Sequence, residues 1–227
     1  LESKDPLDRY SCEMLGYNDQ MVIAVAGNSR YGQSAFEGFE DYHYTLGQSS
    51  AANQCPVPRY FSFLDIRSKI TKTASKAHSG KYFLSLSPAD MAQSSFDLYV
   101  CTNSQTSGNG SSEEDHTQNG FIQMPDTAIS RKPCDCLNQF NPIPGKYIFS
   151  AWVNESRDPL IHQFDKSKAM IRLGGTNYEF KAKGPIIEGW QKIYGEFVIP
   201  PGQNKIKIFL IASPDNWTYF DDIRIHP

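Results

Sequence analysis

Carboxylates and aromatic rings are the side chains of this 227-residue sequence whose placement could do chemistry. Asp221 and Asp222 stand side by side in "WTYFDDIRIHP" (217–227), an apolar, aromatic stretch that reads as a β-strand. Asp is disfavoured in strands because its short side chain competes for backbone hydrogen bonds. The pair is open to three readings: a catalytic pair, metal ligands, or the exposed rim of a strand. Successive strand residues point to opposite faces, so these two are not expected to form a dyad, and a glycosidase pair must span a cleft of ~5–9.5 Å. The expectation is that one of the two faces the sandwich edge or interior and the other meets solvent. An inward carboxylate needs a partner, since burying one alone is very costly. A hard cation such as Ca²⁺ is one candidate, an Arg or Lys a second, and a cap of backbone N–H groups a third. Glu37, Glu40 and Asp41 in "FEGFEDYHY" supply further carboxylates, and the tight turn in "AHSGKYFLSL" supplies backbone carbonyls.

Flat rings form the second candidate set. Trp152, Trp190 and Trp217, with Tyr147, Tyr178 and Tyr194, have faces on which a sugar can stack. A Trp in a β-sandwich is more often core than platform. Trp190, following Gly189 just before a strand, reads as a packing anchor. Trp217, in "SPDNWTYF", sits in a loop-like setting where exposure is expected.

Other chemistries find little support. There is no GxSxG, no phosphate-cradling glycine loop and no HExxH, and "SEEDH" lies in a loop unsuited to holding a geometry. The chain is therefore expected not to be an enzyme. Five cysteines, Cys12, Cys55, Cys101, Cys134 and Cys136, are an odd number, and C-D-C lacks the second pair a zinc site wants. A net charge of −3 leaves no electrostatic footprint for nucleic acid. No apolar run approaches the ~20 residues of a membrane helix, and "LESKDPLDRY" carries no signal-peptide core.

Strand signals position these residues. "MVIAVAG" is a short strand within an otherwise irregular N-terminal arm, residues 1–34. From 35 to 227 the candidates are 59–66, 81–87, 96–101, 146–153, 169–174, 177–183, 191–200, 204–213 and the closing stretch. In "KIKIFLIA", Ile206, Ile208 and Leu210 share one face, opposite Lys205, Lys207 and Phe209. Turns such as "HSGK", "LGGTN" and "PPGQN" separate the strands, and no segment has helical periodicity. Many short strands with such turns predict an all-β jelly-roll sandwich of two packed antiparallel sheets. The polar, Gly/Ser-rich stretch 102–118 is expected to be a mobile surface loop.

"FEDYHY", "AHSGKYFLSL", "PIPGKYIFSAWVNES", "EGWQKIYGEFVIPPGQNKIKIFLIAS" and "YFDDIRIHP" follow one another across about residues 36–227. In this order they resemble a carbohydrate-binding-module-like jelly roll, of the galactose-binding-like group near modules 4, 9 and 22. A narrower likeness, in the lead-in, "CLNQFNPIPGKYIFSAWV" and the closing stretch, is to the version in RHS/YD-repeat surface proteins of Bacteroidetes-type bacteria. The resemblance implies a fragment of a longer extracellular or cell-surface protein, with the parent chain's other domains and a polysaccharide or glycan as partners. It also implies a structural Ca²⁺ held by Glu40 (Glu37 as the second choice of register), carbonyls around Ser79, Gly80 and Lys81, and Asp221, which then turns inward and leaves Asp222 to solvent. Sugar-contacting residues carry over poorly; Trp217, Trp152 and Tyr178 are the candidates. A spacer or protein-interaction module without a sugar ligand is the other reading, because fold is not function.

Overall fold

The structure is a computed structural model that describes residues 1–17, 20–41, 67–73, 75–97, 140, 142–156, 162–203 and 205–227. The expected strand at 59–66 and the loop at 102–118 lie outside these residues, as does the end of the strand expected at 96–101.

The N-terminal arm is more regular than its sequence implies. Strands β1 (Glu2–Lys4), β2 (Tyr10–Gly16) and β3 (Met21–Gly27) form an antiparallel sheet in the order β1-β2-β3. The only strand expected there was β3. Polar residues at alternate positions of β2 hid a pattern in which Cys12, Met14 and Gly16 are buried.

Ten further strands follow: β4 (Ala35–Glu37), β5 (Ile70–Lys72), β6 (Tyr82–Leu86), β7 (Met91–Asp97), β8 (Gly145–Asn154), β9 (Lys168–Leu173), β10 (Thr176–Ile187), β11 (Trp190–Ile199), β12 (Lys205–Ile211) and β13 (Thr218–His226). One sheet runs β6-β13-β8-β11, with β5 at its edge and β4 beside β13, and the other runs β7-β12-β9-β10. The long β10 joins them: its first half pairs with β9 and its second half with β11. The chain crosses between sheets from β6 to β7, β7 to β8, β8 to β9, β11 to β12 and β12 to β13, which is the winding of a jelly-roll sandwich.

Period-two alternation sets the core. Tyr147, Phe149, Ala151 and Val153 of β8 and Ile206, Ile208 and Leu210 of β12 are each at most 1% exposed. Phe149 stacks on Phe180 with ring centroids 5.4 Å apart. Gly195, opposite Phe149 in the register, makes room for that stack, because a Cβ there would overlap the Phe180 ring.

The last strand departs from simple alternation. Between Asp221↔Trp152 and Arg224↔Ser150, β13 advances three residues while β8 advances two. This β-bulge has Asp222 at φ 46°, a left-handed conformation that Asp tolerates better than most residues.

Candidate functional site

The bulge places Asp221 and Asp222 on one site. Core-facing Phe220 and Ile223 flank the pair, both 0% exposed. Asp221 pairs in register with Trp152, which alternates with core-facing Ala151 and Val153. Asp221 therefore lies on the face of β13 away from the core, buried beneath the His78–Tyr82 turn rather than inward as expected. Asp222, expected to meet solvent, is 5% exposed. The physical reason is the extra residue: it breaks the period that would have sent the two carboxylates to opposite faces.

The turn caps both carboxylates. Asp221 Oδ2 accepts from the backbone N–H groups of His78 (2.9 Å) and Ser79 (3.2 Å), and Oδ1 accepts from Asp222 N–H (2.8 Å). Asp222 accepts the Ser79 hydroxyl at 2.7 Å, and its other oxygen lies 2.7 Å from His78 Nδ1. Burial, then the Asp222 carboxylate, push Asp221 up to about 8, against the lowering effect of its N–H bonds. Glu40 closes the turn from the other side, accepting the N–H groups of Lys81 (2.6 Å) and Tyr82 (2.7 Å). Gly80, at φ 64°, has no room for a Cβ, which would run into the Glu40 carboxylate.

Glu40, Ser79, Gly80, Lys81 and Asp221 are thus brought to one place, and Glu37 adjoins them. Glu37, Glu40, Asp41 and Asp222 line a cavity of roughly 290 Å³ between the β2–β3 hairpin and the sandwich. Leu15, Met21, Val22 and Ile23 form its apolar wall. The cation on the wall, Arg224, packs its guanidinium 5.0 Å from the Phe36 ring centroid. Such a lining has the oxygen donors a hard cation takes. Among the described residues, however, no group of three or more His, Cys, Asp or Glu side chains forms a ready-made metal cage. The turn presents N–H groups to Glu40 and Asp221, the third of the partners weighed from sequence.

Sequence reasoning passed over His78 and assigned Asp222 to solvent. His78 stacks on Trp152 with centroids 4.1 Å apart and meets Trp190 edge-on at 5.8 Å. The "DD" itself was the available signal for Asp222, since Asp in a strand competes for backbone hydrogen bonds and needs donors or water.

The aromatic candidates do not form one platform. Tyr178 packs against the core beside Phe197, not on a ligand face, because it alternates with outward Asn177 and Glu179. One face of Trp152 is taken by His78. Trp190 is 3% exposed, whereas Trp217 is 51% exposed. The loop carrying Trp217 is braced: Ser213 N–H donates to Thr218 Oγ1 (2.9 Å), Ala89 N–H to the Ser213 carbonyl (2.9 Å) and Ala212 N–H to the Asp90 carbonyl (3.0 Å).

With the fold and this geometry in hand, the class of protein is a jelly-roll β-sandwich. No protein family and no curated protein matches the sequence. The fold is similar to solved carbohydrate-binding modules. One is a family 61 module in complex with β-1,4-galactotriose (13% identity, TM-score 0.34, 73% of this chain and 85% of that one). Another is a family 16 module (13% identity, TM-score 0.35, 73% and 90%). A third is the family 22 xylan-binding domain of Xyn10C from Paenibacillus barcinonensis (12% identity, TM-score 0.33, 70% and 80%).

Proposed function

We propose that this chain is a non-catalytic glycan-binding module of a larger secreted or cell-surface protein of the RHS/YD-repeat kind. The observation that carries the reading is Trp217. Its exposed indole stands on a hydrogen-bonded loop at one end of the sandwich, beside exposed Asp215 and half-buried Asn216. A flat ring held rigid next to polar groups stacks on a pyranose at little entropic cost. Affinity electrophoresis through gels containing xylan, β-1,4-galactan or cellulose tests this. Retardation on at least one gel, lost in Trp217→Ala with far-UV circular dichroism unchanged, is expected. Equal mobility of wild type and variant on every gel contradicts it.

The same reading carries a structural Ca²⁺ where Glu40, the Ser79–Gly80–Lys81 turn and Asp221 meet, with Glu37 and Asp222 on the adjoining cavity wall. Its support is the surplus of carboxylates there over cations. When bound, the ion supplies positive charge between the chain's first and last sandwich strands. At calcium a hundredfold above its Kd, linkage raises the melting temperature by about 5–10 °C. Melting curves identical in calcium and in EDTA contradict the ion.

A second reading, an interaction module without a sugar ligand, is favoured by one feature. Met21, Val22 and Val25 of β3 are 56%, 48% and 64% exposed. No retardation on any gel, together with concentration-dependent association lost in Val25→Lys, is the outcome expected of that reading.

A further inference from the structure

The outward faces of β9, β10 and β12 carry a charge pattern at odds with the rest of the chain. Lys168, Arg172, Lys181, Lys183 and Lys207 occupy outward positions, with Glu179 the carboxylate that shares the outward face of β10. Five cations thus stand around one carboxylate on a protein whose formal net charge is −3. Arg172, Lys181 and Lys183 are exposed, and Lys168 is bonded to Glu179 at 2.9 Å.

Their register is unfavourable for stability. Lys207 lies directly opposite Arg172, Lys181 opposite Lys168, and Lys183 opposite Lys192 of β11. Like charges directly across a pair of strands are destabilising. The second and third pairs lie where β10 passes from one sheet to the other, and the first lies between β12 and β9. Tyr194 lies beside the third pair, 45% exposed, with the Lys183 ammonium 5.5 Å from its ring centroid.

We propose that this stripe is a binding surface for an acidic polysaccharide, one whose sugar rings carry carboxylates. It goes beyond the Trp217 platform and stands without it. Pairs of cations recur along β10: Lys181 and Lys183, two residues apart, are ~7 Å apart on one face, and the Asn177–Arg172 row lies ~13 Å from Lys181. A linear chain with a carboxylate on each ring meets these cations in turn, while Tyr194 offers a face to a pyranose. Anionic groups relieve the cross-strand repulsion that the free fold carries. Four of the five cations are Lys, compact point charges, so the planar fork with which Arg grips phosphate is scarce here. That composition favours a uronate chain over a nucleic acid.

The test is affinity electrophoresis of the full chain through polygalacturonate, through neutral β-1,4-galactan, and with a single-stranded DNA oligonucleotide. Retardation by polygalacturonate that weakens as salt rises is expected, with an affinity about tenfold lower in Lys181→Glu/Lys183→Glu. Mobility on the neutral gel is expected to be unchanged in that variant and altered only by Trp217→Ala. The milder Lys181→Gln should weaken polygalacturonate binding while leaving the melting temperature equal or higher, since a repulsive pair is removed. Equal binding of polygalacturonate by wild type and the charge-reversed variant overturns the proposal. Binding of the oligonucleotide as tight as that of polygalacturonate at the same salt also overturns it.

Discussion

Asp221 holds its proton to a far higher pH than an exposed aspartate, because it is wholly buried and has Asp222 for a neighbour. The folded state therefore binds more protons than the unfolded chain between the ordinary value of 3.8 and about 8. The stability this contributes is fully present below the unfolded value and is lost as pH rises through about 8. In EDTA, the melting temperature is expected to fall between pH 5 and pH 9, and Asp221→Asn should flatten that slope. A wild-type slope equal to that of the variant contradicts the assignment. Gly80 gives a second prediction. Its positive φ and the Glu40 carboxylate at its Cα leave no place for a side chain. Gly80→Ala is expected to cost about 2–4 kcal/mol in urea unfolding, and a loss under ~0.5 kcal/mol counts against the packing described.

At the scale of elements, the bulge in β13 is what makes the carboxylate site. A β-branched residue is a poor fit at φ 46°, so Asp222→Val should lose about 2–4 kcal/mol, combining backbone strain with the His78 and Ser79 bonds. Asp222→Asn keeps the conformation and should lose less; equal losses argue against a strained bulge. This element also marks the limit of what the sequence made legible. Strands β8 to β12 were readable within a residue or two, apart from the far end of β10, because their apolar residues recur at period two on the core face. The grouping of Glu40, the glycine turn and Asp221 was implied by the family resemblance, not by composition or periodicity. A bulge adds one residue without changing composition, so the direction of Asp222 was not readable. Nor was the direction of the turn's backbone: residue types do not say whether N–H or C=O faces a carboxylate. Strands β1, β4 and β5 have only three residues each, too short for a period to register.

On the scale of the whole molecule, the jelly roll holds its candidate surfaces apart. The carboxylate cavity joins the N-terminal hairpin to the last strand, Trp217 stands on the loop that leads into β13, and the lysine stripe follows β10. The exposed Trp217 indole on its braced loop is the feature on which the proposed glycan binding rests. Asp221 is fully buried and three N–H donors hold its oxygens, two of them from the turn, which clamps the turn onto β13. The most direct test is migration of the wild-type chain and Trp217→Ala through parallel gels of neutral and acidic polysaccharides. Retardation of the wild type on at least one neutral glycan, abolished by Trp217→Ala with the fold intact, is the expected result. Free migration of the wild type through every gel, neutral and acidic, contradicts glycan binding.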